Sequence, residues 1–372
     1  MNFLASCRTL PLLVILLSGV AAAQPHKQHI PLGLIVPLTG TNAYIGERAG
    51  RMAQLFAEDF NSTSGKYVID LLIEDGKCGQ GNFAATAAHK LIHINKAKFL
   101  ITGCSGETLQ VAPLAEKAKV VVLAMASNHP DVSRAGDFIF RTYLDVDSGL
   151  QELAQYIRTA EIRRMALITE DLAFTQGTRE RLNELLGDLV VFQADYLPDA
   201  ADYRDILIKS KASKPEAYYL NCATPSTCAR LYSQVGQLGI RARLFSYFYP
   251  EFADVAAAVG QSSEEMIYLA PPDITLAPES YRRIMDKYIR QFGLPELQYF
   301  TRTTHVALDI IAAVIQETGD DPDKARDFIY SFRGDSAIGR VYFDKAGDIR
   351  GVSWTLKSLK DGKKSVLAAG VQ

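Results

Sequence analysis

Apolar and polar residues come in alternating blocks along this chain. Ile30 to Val36 is a short apolar run, and Pro37-Leu-Thr-Gly-Thr-Asn-Ala-Tyr-Ile-Gly46 is a turn-rich loop after it. Between Glu47 and Asn61, Ala49, Met52, Ala53 and Phe56 recur at i, i+3, i+4 and i+7. That is the one-faced pattern of a helix lying on a sheet. Tyr67 to Glu74 predicts a strand. Asn82 to Asn95 predicts a helix with Phe83, Ala87 and Leu91 on one face. Lys98 to Thr102 and Val120 to Ala124 follow as strands, and runs such as Val120-Val-Val-Leu123 fit strands covered on both faces. Strand–helix alternation at this spacing predicts βαβ units and a parallel sheet.

The alternation restarts after Asp145. Helices at Ser148–Thr159, Gln176–Leu186, Tyr203–Lys211 and Ser226–Leu238 each precede a strand, at Arg164–Thr169, Val190–Asp195, Ala217–Leu220 and Arg243–Ser246. This predicts a second lobe of the same α/β architecture. From Pro271-Pro272 helices dominate, at Pro278–Gln291, Thr303–Thr318 and Pro322–Phe332. Strands at Val341–Phe343 and Val352–Leu359 come next, and Lys360-Asp-Gly-Lys363 reads as a hairpin turn.

Composition changes the picture in three places. At 372 residues the chain is too long for one typical core, which agrees with two lobes. A net charge of −2 with no basic block argues against a nucleic-acid partner. The N-terminus, with Arg8, apolar Leu10 to Val20 and small Ala21-Ala-Ala23, reads as a signal peptide over residues 1–23, so the mature protein is expected in the periplasm. Cys7 leaves with that segment. Four cysteines remain, an even number that suggests two disulfides in an oxidising compartment. Cys222 and Cys228 share one short loop and pair most simply together, which leaves Cys78 with Cys104. A four-cysteine zinc site would want CxxC spacing, which is missing.

The chemistry resides in loops. Phe99-Leu-Ile-Thr-Gly-Cys-Ser-Gly-Glu-Thr108 is a strand running through a Gly/Ser turn into a helix, an arrangement that makes an anion pocket. Ser105 sits where a hydrolase nucleophile would, but the motif is not Gly-x-Ser-x-Gly and no His stands out as its base. His89 and His93 have the i, i+4 spacing of a metal clip without an evident third ligand. Gly76-Lys-Cys-Gly-Gln-Gly81 matches neither the dinucleotide fingerprint nor the P-loop, so no cofactor is expected. Asn61-Ser-Thr63 is a glycosylation sequon. What remains is the set of loops at the carboxyl ends of the strands, where open α/β sheets bind ligands. First-lobe loops supply Ser105, Gly106, Ser127 and Asn128, with Tyr44 beside them. Second-lobe loops supply Phe174, Tyr247, Phe248 and Tyr249. Such a site suits a small carboxylate with an apolar body.

The run Ile30-Pro-Leu-Gly-Leu-Ile-Val-Pro-Leu-Thr-Gly40 resembles the opening strand and loop of type I periplasmic binding proteins, above all the leucine/isoleucine/valine-binding family of ABC importers. Glu74-Asp-Gly-Lys-Cys78, Gly103-Cys-Ser-Gly106, Ala126-Ser-Asn-His-Pro130, Phe138-Ile-Phe-Arg-Thr142 and Gly339-Arg-Val-Tyr-Phe-Asp-Lys-Ala-Gly-Asp348 stand in that family's order. The resemblance implies two similar doubly wound parallel-sheet lobes joined by a three-strand hinge. The expected crossovers are near Tyr143, Pro272 and Gly339. Lobe 1 would then be 30–143 plus 273–338, and lobe 2 would be 144–272 plus 339–372. It implies a non-enzymatic binding protein, expected to be monomeric, that hands its ligand to a membrane permease, with no metal. It also implies a first-lobe disulfide, which Cys78 and Cys104 match. Ser105, the Ala126 carbonyl, Ser127 and Asn128 align with positions that hold the ligand's carboxylate and share its ammonium, and Tyr44 with an aromatic wall. The family's acidic partner for the ammonium falls near Phe248 or Tyr249, where this chain has no carboxylate. A carboxylate lacking an ammonium, such as an aromatic or short-chain acid, is therefore expected. Asp171 or Glu251 would restore an amino-acid ligand if the register differs by a few residues.

Overall fold

The computed structural model describes residues 27–369 apart from 199, 261–264 and 275–276, so the expected signal peptide at 1–23 lies outside the described residues. Continuous apolar runs become strands buried on both faces. β1 (Gln28–Val36), α1 (Ala43–Thr63), β2 (Tyr67–Asp75), α2 (Phe83–His89), β3 (Phe99–Cys104), α3 (Ser105–Ala118), β4 (Val121–Ala126) and β5 (Ile139–Arg141) build a parallel sheet of order β2-β1-β3-β4-β5. The one-faced pattern of α1 is realised: Ala49, Met52, Ala53 and Phe56 are all buried. The helix expected at Asn82–Asn95 loses α geometry after His89 and ends in a π-helical turn, Lys90–Ile94.

The second half repeats this plan with α4 (Val146–Thr159), β6 (Met165–Glu170), α5 (Ala173–Leu186), β7 (Val190–Tyr196), α6 (Arg204–Ala212), β8 (Ala217–Asn221), α7 (Pro225–Gln237), β9 (Arg243–Ser246), α8 (Ala253–Gly260) and β10 (Met266–Ala270). Its parallel strands run β7-β6-β8-β9-β10, the same winding as the first sheet. β5, α8 and β10 are additions to the elements read from the pattern. The chain then returns to the first body through α9 (Glu279–Phe292), α10 (Tyr299–Thr318) and α11 (Pro322–Ser331), where α9 and α10 pack on α1.

Residue 339, expected at the third crossover, is instead the first residue of a strand. β11 (Arg333–Ser336), β12 (Gly339–Phe343) and β13 (Ile349–Arg350) form a small antiparallel sheet in which Ser336 pairs with Gly339. The Arg141 side chain, fully buried, donates to Asp348 and holds this sheet on β5. The chain leaves this body only after Arg350. β14 (Thr355–Lys360) then pairs antiparallel with β10, and β15 (Lys363–Ala369) closes the second sheet through the hairpin at Asp361-Gly362. Trp354, the one tryptophan, is buried beside the crossovers and donates its indole N–H to the Asp145 carbonyl at 2.7 Å.

Candidate functional site

In each sheet the winding reverses between two strands, β1 and β3 in the first, β6 and β8 in the second. Loops diverge there, and a crevice opens beyond the strand ends. The two crevices face each other and enclose a space of about 480 Å3 counting its open mouth. Room for whole water molecules inside it is much less, about 40 Å3, so the lobes are nearly closed on each other.

The first-lobe wall is built around the start of α3. Cys104 ends β3, and Ser105 and Gly106 open the helix and line the cavity. Cys78 and Cys104 form one disulfide, and Cys222 and Cys228 the other, as expected. Glu107, fully buried, ties the first disulfide's two ends together: Cys78 N–H donates to Oε1 at 3.0 Å and Cys104 N–H to Oε2 at 2.8 Å. Burial pushes its carboxyl up to about 8, against the pull of those N–H donors. Gly79, at φ +82°, lies so close that a Cβ there would fall 2.4 Å from the Gly106 carbonyl carbon. Ser105 Oγ accepts from the N–H of Asn128 at 3.2 Å and of His129 at 3.3 Å. Among the described residues it has no hydrogen bond to an imidazole nitrogen, and His129 Nδ1 accepts the Asp131 N–H.

The second-lobe wall is aromatic. Phe174, Tyr247, Phe248 and Tyr249 all line the cavity, joined by Ala173 and Ala223. Phe174 and Tyr247 lie 5.2 Å apart between ring centroids, Phe248 and Tyr249 4.8 Å. Burial raises the phenols of Tyr247 and Tyr249 well above their usual range, so both stay neutral donors. A polar contact crosses the cleft beside the cavity: Asn128 Nδ2 donates to the Tyr247 hydroxyl at 3.0 Å, which donates to Tyr143 at 3.5 Å.

Of the residues expected at the site, the structure gathers Ser105, Gly106, Ala126, Asn128, Phe174, Tyr247 and Tyr249 around one cavity. Ser127 and Tyr44 are not among its lining residues. The Ser127 hydroxyl is turned to Thr108 at 2.6 Å and to the Gly103 carbonyl at 2.8 Å, holding the strand-end turn from behind. The Tyr44 ring packs edge-on against Phe252 and Phe300. Asp171 accepts from Gln176 on the surface, and Glu251 is engaged by Lys357, Lys364 and Tyr268, so neither lines the cavity. Several residues around the cavity were not singled out from the sequence. Tyr143 and Phe300 line the cavity from a crossover and from α10, far apart in sequence and without motif. Glu170, buried at the end of β6, accepts from Ala223 N–H and Thr227 Oγ1, both at 2.8 Å, directly behind the aromatic wall. Its place at a strand's carboxyl end, where open α/β sheets bind ligands, is the sequence signal that could have found it.

Elsewhere, His89 and His93 bring their rings to 4.6 Å on an exposed face, and no group of three metal-ligating side chains occurs among the described residues. Asn61 of the sequon is engaged by Ile69 through both ends of its amide. A wider cleft at the crossovers is lined by charges held in pairs, Arg181 with Asp147 and Arg350 with Asp145. No described helix is long and apolar enough to cross a membrane.

Two facing α/β lobes share one cavity at both of their switch points. The chain belongs to the periplasmic binding protein family, whose model matches residues 29–356. It is a solute-binding protein rather than an enzyme. It is 25% identical to the amino acid binding protein of Pseudomonas aeruginosa over 91% of this chain and 92% of that one. Among solved structures it is similar to the leucine binding protein of Thermotoga maritima, with a TM-score of 0.76, 20% identity, and 91% of this chain and 98% of that one covered. It is as similar to a solute binding protein of an ABC transporter from R. palustris in complex with benzoate, with a TM-score of 0.76, 18% identity, and 92% and 96% covered.

Proposed function

We propose that this protein captures a small apolar, aromatic-sized carboxylate in the cleft and presents it to the permease of an ABC importer. One observation carries the reading: the N-terminus of α3 opens into a cavity whose other wall is aromatic and whose lining includes no Asp, Glu, Lys, Arg or His side chain. Free N–H groups and the helix dipole there favour one negative charge. The aromatic wall favours an apolar body. Ser105 and the Gly106 N–H hold the carboxylate, Ala126 and Asn128 line the cavity beside it, and Phe174, Tyr247 and Tyr249 take the apolar body. Ser127 supports the turn and Tyr44 the aromatic rim. The relatives named above include both a leucine and a benzoate binder.

In this reading residues 1–23 direct export to the periplasm and are removed. The lobes divide near Tyr143, near Pro272 and, in place of Gly339, at 351–354. The protein works as a monomer, and ligand bridging both walls stabilises the closed state by population shift. A second reading, an α-amino acid, is favoured by Glu170, a carboxylate buried behind the aromatic wall.

Thermal unfolding of the intact chain tests this with phenylacetate, its uncharged amide and leucine. Phenylacetate at about 100 times its dissociation constant adds ~2.7 kcal/mol and the amide adds nothing. An amide that stabilises as well as the acid overturns the anion site. Leucine outperforming phenylacetate, with the advantage lost in Glu170→Gln, replaces the first reading with the second.

A further inference from the structure

We infer that the preferred ligand is a 2-hydroxycarboxylate, with a hydroxyl on the carbon next to the carboxylate. This rests on the reading of the α3 N-terminus as the place where the carboxylate sits. Asn128 stands beside that place, because its own N–H donates to Ser105 Oγ at 3.2 Å. A ligand group that reaches the Asn128 side chain is therefore one attached close to the carboxylate carbon.

The Asn128 amide has a fixed orientation. Its Nδ2 donates to the Tyr247 hydroxyl at 3.0 Å, and that hydroxyl directs its own proton to Tyr143. Tyr247 thus has a lone pair for Asn128 and no proton, which leaves the amide's carbonyl oxygen as the group still to be satisfied. Asn128 is 1% exposed and lines the cavity, and its Oδ1 has no hydrogen-bond partner. A buried acceptor without a donor is costly, so a ligand that brings a donor to it gains more than its own hydrogen bond.

Three kinds of substituent compete for that position. A 2-oxo group brings only lone pairs, which face Oδ1 unfavourably. An ammonium brings protons, but also a charge that must shed its water among neutral lining groups. The buried carboxylate behind the aromatic wall, Glu170, lies behind Ala223 with Oε2 already accepting two hydrogen bonds. A hydroxyl brings one proton and no charge. Its own oxygen keeps lone pairs for the N–H groups of the turn.

Isothermal titration of the intact protein with four acids of one skeleton tests the inference: mandelate (both enantiomers), phenylacetate, phenylglyoxylate and phenylglycine. One mandelate enantiomer is expected to bind about tenfold tighter than phenylacetate, the worth of satisfying one buried acceptor. In Asn128→Ala that ratio, taken against the variant's own phenylacetate affinity, should fall to about one, because the acceptor that tells the two acids apart is gone. The wild-type series stands alone should the variant fold poorly. Equal binding of mandelate and phenylacetate overturns the hydroxyl and leaves the carboxylate reading intact. Tightest binding of phenylglyoxylate means the amide presents N–H instead, and tightest binding of phenylglycine means the site takes an ammonium. Either overturns the inference. If no member binds, the carboxylate reading itself falls.

Discussion

The two lobes share a winding and differ in what they place at its turning point. In the first, the strands at the reversal deliver a disulfide, a serine and the start of a helix. In the second, the equivalent crevice holds Phe174, Ala223 and the Tyr247-Phe-Tyr249 run. Topology decides where a crevice opens, and the few residues after each strand decide what it accepts. The first wall is stiffened for polar work: Glu107 receives the N–H groups of both bridged cysteines, and Gly79 lets the Cys78 loop press on Gly106. The second is a packed aromatic surface whose hydroxyls mostly satisfy one another or the backbone, as Tyr249 does with the Ala223 carbonyl at 2.6 Å.

Breaking each lobe's disulfide gives the largest contrast. Cys78–Cys104 spans 26 residues of sequence and Cys222–Cys228 spans 6. Chain-entropy arguments assign them about 3.5 and about 2.4 kcal/mol of stability. Paired Cys→Ser variants, compared by denaturant midpoint, should rank in that order. Only the first should also lose ligand affinity beyond its loss of stability, because Cys78 and Cys104 line the cavity and hold the turn. Equal loss of binding in both variants would mean that the first wall is not the preorganised one.

Acid should separate the lobes next. All six histidines precede residue 144 or sit at 305, so the second sheet and its helices contain none. His305 is fully buried between the rings of Phe56 and Tyr281, and burial lowers its pKa to about 4. The unfolded chain takes up that proton near pH 6.5, so stability is full above pH 6.5 and falls as pH drops toward 4, by about 3 kcal/mol. Hydrogen exchange followed from pH 7 to 4 should show protection lost first in α1, α9 and α10. His305→Phe or His305→Leu should flatten the profile. First loss in the second sheet would remove His305 as the cause.

This contrast also shows what the sequence could disclose. Strands buried on both faces read as unbroken apolar runs, so β3 and β4 were legible. Helix starts were placed late: α1 begins at Ala43 instead of Glu47 and α5 at Ala173 instead of Gln176. Those first turns hold small and aromatic residues because they border the cavity, and they look like loop. β10 escaped notice since its five residues sit between two breaks in the pattern. The polar wall was legible because it is local, one strand-turn-helix segment. The rest of the cavity is tertiary. Phe300 reaches it from a helix facing Tyr143 and Phe248, and nothing near it in sequence announces this. Ser127 carries the right chemistry in the right loop, yet its hydroxyl is drawn backwards by Thr108 and the Gly103 carbonyl, partners only the folded chain supplies.

The smallest effect asks whether the first wall can be weakened without touching a ligand contact. Glu107 is neutral below about pH 8 and ionises above it. Its folded pKa is raised above its unfolded value, so its contribution to stability is full below about pH 4.5 and is lost as pH rises to 8. Its carboxyl accepts the N–H of Cys104, one residue before Ser105, so the charge appears directly behind the proposed anion site. Like charges at such a distance repel by about 1 kcal/mol after protein and solvent screening. Phenylacetate affinity measured from pH 6 to 9 should therefore fall about fivefold through pH 8, and Glu107→Gln should hold it level. The aromatic wall predicts no such step, since its phenols stay neutral throughout that range. A fall that persists in Glu107→Gln would place the titrating group elsewhere, and with it the polar wall's control of the anion.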